Sequence, residues 1–201
     1  MEVYPTTCYN YFPLEKDDKQ LMGSVASGDE ESFSLLMNTY FSLMYAFVLK
    51  MTGDKNITDD VLQDVFLKVW RNAKRYRHTG NLKAWIFSIA RNTTIDQLRK
   101  RHLNFTDLDQ EDEFFSDNIE DETLLPPEIF EKKELQDSVQ STLYSIPLIH
   151  REMLTLRYIS ELSLAEISEV TGLSLNNVKS RLRRAHIKFR ESIINATKTS
   201  A

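Results

Sequence analysis

The chain contains little glycine, proline, cysteine or histidine for its 201 residues. Five glycines and five prolines argue against a loop-rich β-sandwich and favour helices. Neither G-x-G-x-x-G nor G-x-x-x-x-G-K-[ST] occurs, which excludes the common glycine-loop phosphate sites. The single cysteine, Cys8, excludes an intrachain disulfide and a cysteine-based zinc site. Because the four histidines are scattered without ligand spacing, we expect no metal and no cofactor.

Long apolar runs are also missing from the sequence. The N-terminal segment has no basic start followed by an apolar stretch, so it does not resemble a signal peptide. No run approaches the ~18 apolar residues of a membrane-spanning helix. We therefore expect no membrane insertion and a cytoplasmic location.

The net charge of −5 comes from one short segment. Residues 1–103 carry 14 basic and 12 acidic side chains, and residues 126–201 carry 11 basic and nine acidic ones. Residues 104–125 carry nine acidic side chains and no basic one. An acidic chain usually disfavours nucleic acid, but this distribution leaves two slightly basic modules on either side of an acidic segment.

Apolar residues recur at helical spacing in both modules, and no strand-like alternation of useful length is present. Asp29 precedes the apolar positions of the first helix, Thr58 and Asn81 are candidate N-caps of the next two, and Thr52-Gly53 is a candidate stop. The pattern predicts an all-α fold of two small helical domains joined by a flexible acidic linker. The predicted parts are an N-terminal tail at 1–17, a helical domain at 18–103, the linker at 104–127 and a helix-turn-helix domain at 128–197.

The most specific local pattern is S-L-A-E-I-S-E-V-T-G-L-S-L-N-N-V-K-S-R-L-R-R-A, residues 163–185. Ser163 and Glu166 have the spacing of a capping box, Gly172 can end the first helix, and Ser174 can cap the second. Two short helices joined by a tight glycine turn form a helix-turn-helix, whose second helix normally enters the DNA major groove.

The second helix of this motif has two faces. Its apolar stripe consists of Val178, Leu182, Ala185 and Phe189. Another face carries Asn177, Ser180, Arg181 and Arg184, with Lys179 and Arg183 beside them. Arginine and asparagine can contact base edges in pairs of hydrogen bonds, while lysine and serine suit phosphates or single contacts. The alternative is a solvated basic face on a helical hairpin.

The segment at 68–101 contains ten basic residues and one acidic residue, interleaved with aromatic side chains. Such a mixture can bind single-stranded nucleic acid, although Trp70 and Trp85 have the spacing of core residues. The polar loop at 77–81 could hold an extruded base. On the preceding helix, Asp60, Gln63 and Asp64 form an acidic and amide face that is either solvated or docks a basic protein.

Together these segments resemble a bacterial RNA polymerase sigma factor of the extracytoplasmic-function (ECF) type. The residues that carry the resemblance are D-D-V-L-Q-D-V-F-L-K-V-W at 59–70, N-L-K-A-W-I-F-S-I-A-R-N-T-T-I-D-Q-L-R at 81–99, I-P-L-I-H-R-E-M-L-T-L-R-Y at 146–158 and the motif from Leu164 to Ala185. The resemblance implies that the chain binds core RNA polymerase and directs promoter-specific initiation. It would recognise the −35 and −10 promoter elements and assist DNA melting.

The resemblance also implies roles for particular residues. Those expected to face the polymerase clamp are Asp60, Leu62, Gln63, Asp64 and Phe66. Those expected to serve the −10 element are Arg77, His78, Thr79, Gly80, Asn81, Lys83, Arg91, Asn92, Arg99 and Arg101. Those expected to serve the −35 element are Asn176, Asn177, Lys179, Ser180, Arg181, Arg183 and Arg184. Most such factors have Gly-Thr where this chain has Asn176-Asn177, which leaves its base preference open.

Two other function classes compete with this hypothesis. A stand-alone helix-turn-helix regulator would be a two-fold dimer that binds spaced half-sites without polymerase. An enzyme would need a group of nucleophile, base and orienting residue, and the sequence contains none that stands out, so we expect no enzymatic activity. The expected partners are core RNA polymerase, promoter DNA and an anti-sigma factor.

Overall fold

The structure, a computed structural model, describes residues 18–76, 81–101 and 136–199. In these ranges the chain forms eight α-helices and no strand, which confirms the predicted all-α fold. The predicted N-terminal tail and acidic linker lie outside the described residues.

Four helices form the N-terminal domain: α1 (Asp18–Ser27), α2 (Glu30–Thr52), α3 (Lys55–Asn72) and α4 (Leu82–Lys100). They pack around α2, whose side chains Leu36, Met44, Phe47 and Val48 are all fully buried. A short 3-10 turn, Ala73–Arg75, follows α3. The central position of α2 explains why its sequence is the most apolar of the four.

The ends of α2 lie where the sequence predicts them. The side chain of Asp29 accepts a hydrogen bond from the backbone N–H of Glu31, and the backbone N–H of Gly53 donates to the carbonyl of Leu49. Gly53 has a φ of 71°, a left-handed conformation that costs a residue with a Cβ about 1–2 kcal/mol.

The predicted N-cap of α3, Thr58, is wrong. The helix begins at Lys55, because Asp54 accepts hydrogen bonds from the backbone N–H groups of Asn56 and Ile57 at 2.7 and 3.1 Å. Thr58 is buried inside the first turn, where its hydroxyl donates to the carbonyl of Asp54 at 2.8 Å. A carboxylate directly after the stop glycine caps the helix one turn earlier than the sequence pattern suggested.

Helix α2 is long and apolar enough to cross a membrane by length and composition, with a mean hydropathy of 1.3. The absence of long apolar runs in the sequence did not predict a helix with this length and apolar composition. In this fold α2 is the central helix of the bundle, and its apolar side packs against α1, α3 and α4. Burial within the protein therefore accounts for its apolar composition.

The C-terminal domain contains α5 (Gln136–Ser145), α6 (Leu148–Leu154), α7 (Leu164–Thr171) and α8 (Leu175–Thr199). Pro147 separates α5 from α6. Helix α6 continues into one wide π turn, Thr155–Ile159, in which the backbone N–H of Ser160 donates to the carbonyl of Thr155 at 2.9 Å. Such wide turns insert one extra residue and often occur at functional sites.

The two domains pack directly against each other. Buried apolar side chains of both domains belong to one contiguous cluster, which includes Phe47 of α2 and Leu156 of the π turn. At the C-terminal end of α2, the hydroxyl of Tyr144 donates to the carbonyl of Leu49 at 3.0 Å. The guanidinium of Arg151 donates to the carbonyl of Met51 at 3.4 Å. The interface therefore combines apolar burial with hydrogen bonds to carbonyls at a helix end.

Candidate nucleic-acid interface

The second helix of the helix-turn-helix, α8, presents a polar and basic face opposite its buried stripe. Val178, Leu182, Ala185 and Phe189 are 0–4% exposed, which confirms the predicted core stripe. On the remaining surface, Asn176, Asn177 and Lys179 are exposed, while Ser180, Arg181, Arg183 and Arg184 are half-buried. The stripe therefore fixes the rotation of α8 so that the predicted −35 residues lie at or near the surface.

Local capping sets the angle between α7 and α8. Ser163 and Glu166 form the predicted capping box, with the backbone N–H of Ser163 donating to the Glu166 carboxylate at 2.7 Å. Gly172 ends α7 with a φ of 73°, and the hydroxyl of Ser174 accepts from the backbone N–H of Asn177 at 3.3 Å. The hydroxyl of Ser168 donates to the carbonyl of Leu173 at 2.6 Å and closes the turn.

Arg183 extends from the middle of α8. Its Nε is buried and has no hydrogen-bond partner within the described ranges 18–76, 81–101 and 136–199. Guanidinium groups bind phosphates and guanine edges in pairs of hydrogen bonds, and a rearrangement must expose this buried nitrogen before it can take part.

Helix α4 carries most of the described residues that the resemblance assigns to the −10 element. Asn81 caps this helix as predicted, accepting from the backbone N–H of Ala84 at 3.1 Å. Asn92, Arg99 and Arg101 are exposed. The predicted residues Arg77, His78, Thr79 and Gly80 lie outside the described residues.

Three of the −10 candidates on α4 contact the C-terminal domain. The amide of Asn81 donates to Glu166 at 2.8 Å, and the ammonium of Lys83 donates to the backbone carbonyl of Glu161 at 3.2 Å. The guanidinium of Arg91 forms an ion pair with Glu152 through both carboxylate oxygens. No sequence pattern predicts these contacts, because their partners lie about 60 to 85 residues away along the chain.

The electrostatics of this contact follow from burial and pairing. Burial lowers the pKa of Lys83, although the carboxylates of Glu166 and Glu161 oppose that shift. Burial alone would raise the pKa of Glu166. Hydrogen bonds from Ser163 and Asn81, together with the Lys83 ammonium, outweigh burial and hold the Glu166 pKa below its usual value.

The aromatic residues around α4 serve mainly as packing groups. Trp85 is half-buried against the core, with its ring centroid 5.3 Å from that of Tyr76. Trp70 packs edge-on against Phe33 with centroids 4.9 Å apart. These contacts agree with the predicted core roles of both tryptophans.

Helix α3 presents the predicted acidic and amide face. Asp60, Gln63 and Asp64 are exposed, and Phe66 is half-buried. Leu62 is only 3% exposed in the conformation described here, so its expected contact with the polymerase clamp stays a prediction. Leu62 belongs to the buried apolar cluster of the protein.

An apolar patch that the sequence pattern did not predict lies beside the acidic and amide face of α3. Phe41 has helical spacing with the buried residues of α2, yet it is 43% exposed. Its ring lies 6.0 Å from that of Phe66 and stacks at 5.9 Å on Tyr45. Leu67 of α3 is 51% exposed. The available signal was the width of the apolar arc on α2, which is larger than one buried face can accommodate.

No group of three or more histidine, cysteine, aspartate or glutamate side chains suited to a metal ion occurs among the described residues. The features that remain are a basic helix-turn-helix and a helical bundle with a basic helix. They define a two-domain DNA-binding protein with a second, acidic and apolar surface on α3.

Comparison with known proteins supplies the family. The family model described as Sigma-70 region 2 matches residues 36–103, and the one described as Sigma-70, region 4 matches residues 137–188. The ECF RNA polymerase sigma factor SigX of Bacillus subtilis is 32% identical over 77% of this chain and 80% of its own length. SigW of the same organism is 26% identical over 90% of this chain and 98% of its own length. The chain therefore belongs to the ECF sigma factors, the transcription initiation factors that direct RNA polymerase to promoters.

Solved structures show the same fold over both domains. The structure of CnrH in complex with the cytosolic domain of CnrY has a TM-score of 0.65 and 25% identity, over 89% of this chain and 97% of that one. The sigma factor RpoE of Bartonella quintana, in complex with the anti-sigma factor NepR, has a TM-score of 0.61 and 24% identity, over 81% of this chain and 97% of that one.

Proposed function

We propose that this chain binds core RNA polymerase through α3, using the surface formed by Asp60, Gln63, Asp64, Phe66, Phe41 and Leu67. An exposed apolar patch rimmed by polar residues is typical of a protein-docking surface. This juxtaposition on α2 and α3 is the observation that carries the proposal. Leu62, which is also expected at the clamp, is buried in the described conformation.

The test is a charge and shape change on this surface. Gln63→Ala combined with Asp64→Lys should weaken binding to purified core polymerase by about thirtyfold, or ~2 kcal/mol, if these residues anchor the interface. Binding is measured by fluorescence anisotropy of labelled protein, and circular dichroism checks the fold. Glu31→Lys, at an exposed position in the first turn of α2, is the charge-change control. Equal affinities for the wild type and the double variant would contradict the proposal.

We assign the promoter contacts to two surfaces. The basic face of α8 contacts the −35 element. Its members are Asn176, Asn177, Lys179, Ser180, Arg181, Arg183 and Arg184. Helix α4 and the segment before it contact the −10 element and assist melting. The residues assigned to this surface are Arg77, His78, Thr79, Gly80, Asn81, Lys83, Arg91, Asn92, Arg99 and Arg101. The clustering of cations on one helix of each domain supports this division, because phosphate contacts supply most of the affinity for DNA.

An anti-sigma factor is the proposed negative regulator. The support is twofold: the two similar solved structures are complexes of sigma factors with CnrY and NepR, and this chain leaves Phe41 and Leu67 exposed. Overproducing the chain should then activate its promoters without any stimulus, because the excess escapes the inhibitor. A flat transcript profile, while the overproduced protein is bound to polymerase, would exclude control by titration. The proposed location is the cytoplasm, and the proposed activity involves no enzymatic step by this chain.

A further inference from the structure

The first residue of α8, Leu175, carries a large apolar side chain that is 44% exposed. Single exposed leucines are ordinary on protein surfaces, so exposure alone assigns no role to this one. Its position does, because Leu175 begins the second helix of the helix-turn-helix. The N-terminal residues of that helix are the ones that contact base edges in the major groove.

The packing of the turn before α8 does not require Leu175. Leu173 lies directly before the N-cap Ser174 and is half-buried against the apolar cluster. Val178 lies four residues after the cap and is fully buried. These are the two positions at which apolar residues fix the entry of the chain into a helix. Both are therefore filled without Leu175, whose side chain remains at the surface.

The surface of α8 changes in character along the helix. Its first turn exposes Leu175, Asn176 and Asn177, which carry no charge. Cations begin one turn later with Lys179 and continue to Arg184. Because cations supply most of the affinity for phosphates, the middle of α8 is suited to the DNA backbone. The uncharged start of the helix is suited to the bases, which carry the sequence information.

Helical geometry places Leu175 on the side of α8 that carries proposed DNA contacts. Residues four apart share a face of a helix, so Leu175 lies in line with Lys179, and Asn176 lies in line with Ser180. Side chains on a helix also lean toward its N-terminus. Leu175 therefore lies ahead of Lys179, at the end of α8 that enters the groove.

A leucine side chain distinguishes one base edge in the major groove from the others. Thymine presents a C5-methyl group there, while cytosine presents an amino group that donates hydrogen bonds. Contact between Leu175 and a thymine methyl group would remove apolar surface of both from water. Contact with cytosine would leave the amino group without an acceptor, which is unfavourable.

We propose that Leu175 is a specificity-determining residue of the −35 interaction, and that its side chain contacts the C5-methyl group of a thymine in the major groove. The inference rests on the proposed binding of the −35 element by α8, and it adds a residue with no charge and no hydrogen-bonding side chain to that surface. Lys179 and its neighbours hold the helix in the groove, while Leu175 selects thymine at one position.

The test removes one methyl group from the DNA and, separately, the leucine side chain from the protein. A promoter fragment is first identified by adding the full chain to core polymerase and mapping transcripts from genomic fragments. Each thymine of its −35 element, on either strand, is then replaced in turn by deoxyuridine. Deoxyuridine lacks the C5-methyl group and keeps the hydrogen-bonding edges of thymidine. Fluorescence anisotropy measures the affinity of the polymerase complex for each labelled fragment.

Three variants accompany the wild type, and circular dichroism confirms that each is folded. Leu175→Ala removes most of the apolar side chain, and Leu175→Met keeps one of similar size. Ile194→Ala is the matched control, because Ile194 is 45% exposed and lies about 28 Å farther along the same helix.

For the wild type, deoxyuridine at one position should weaken binding about fourfold, which corresponds to ~0.8 kcal/mol for one buried CH₂-sized group. Ile194→Ala and Leu175→Met should show the same loss of affinity at that position. Leu175→Ala should bind the thymine and uracil fragments equally. A uracil penalty that persists in Leu175→Ala, or the absence of any such penalty in the wild type, would overturn the inference.

A further variant separates this inference from the proposed role of α8. Lys179→Ala, measured on the unmodified fragment, should weaken binding whether or not Leu175 contacts a base. Weaker binding by Lys179→Ala together with either of the contrary uracil results would reject the leucine contact and keep α8 at the −35 element. Unchanged binding by Lys179→Ala together with no uracil penalty would reject the assignment of α8 to that element.

Discussion

The buried His186 should make the stability of the C-terminal domain depend on pH. His186 is 3% exposed, and its Nε2 lies 2.8 Å from the hydroxyl oxygen of Tyr158. Burial, followed by the positive charges of Arg157 and Arg190, lowers its pKa from 6.5 to about 4. Between these values the unfolded chain binds a proton that the folded chain does not, so stability is fully present above pH 6.5 and falls as the pH drops toward 4.

The size of this effect follows from the two pKa values. Lowering the pH from about 7 to about 5 should cost up to ~2 kcal/mol of unfolding free energy through His186 alone. His186→Gln should remove that part of the pH dependence, because an amide can still accept from Tyr158 but does not titrate. Tyr158→Phe is the control, since it removes the hydrogen bond for about 1 kcal/mol and leaves the histidine buried.

Urea unfolding at both pH values, followed by far-ultraviolet circular dichroism, measures the effect. The comparison between wild type and His186→Gln isolates this one histidine from the carboxylates that also titrate at low pH. If both proteins lose the same stability between the two pH values, His186 is not held neutral by its surroundings and the argument from burial fails.

Two further predictions concern DNA binding and the domain interface. Arg183→Ala and Arg184→Ala should each weaken binding to the cognate promoter by about 1–3 kcal/mol if the side chains contact bases. The assay is promoter-fragment binding by the polymerase complex. An equal loss of affinity for every DNA sequence, with a weaker dependence on salt, would restrict these arginines to phosphate contacts. Gly53→Ala should destabilise the protein by about 1–2 kcal/mol in thermal or urea unfolding, because the residue has a φ of 71° and a Cβ there would lie 3.2 Å from the Tyr144 ring. Unchanged stability would show that neither the backbone nor the ring resists the methyl group.

The sequence predicts the parts of this fold that depend on neighbours along the chain. The capping box at Ser163 and Glu166, the stop at Gly53 and the stripe ending at Phe189 are local patterns, and the structure confirms each. The predicted start of α3 is wrong because Asp54, which caps the helix, and Thr58, the predicted cap, lie one turn apart and periodicity does not choose between them.

The differences between the expected and the observed candidate sites arise from tertiary packing. Leu62 and Phe41 both have apolar side chains at helical spacing, and only the arrangement of the bundle decides that Leu62 is buried while Phe41 is exposed. The partners of Arg91 and Lys83 are distant in sequence, so the basic pattern alone predicts that these two side chains are surface cations. Such long-range contacts can be predicted only when the relative position of the two domains is known.

The wide turn at Thr155–Ile159 has a consequence for how this domain can vary in length. A π turn contains one residue more than an α turn, and each residue of a helix rotates the following chain by about 100°. Deleting a single residue there would let the helix continue regularly, but it would swing Glu161 away from Lys83 and reorient α7 and α8 together. The number of residues in this turn, more than the identity of any one of them, sets the direction in which the helix-turn-helix faces.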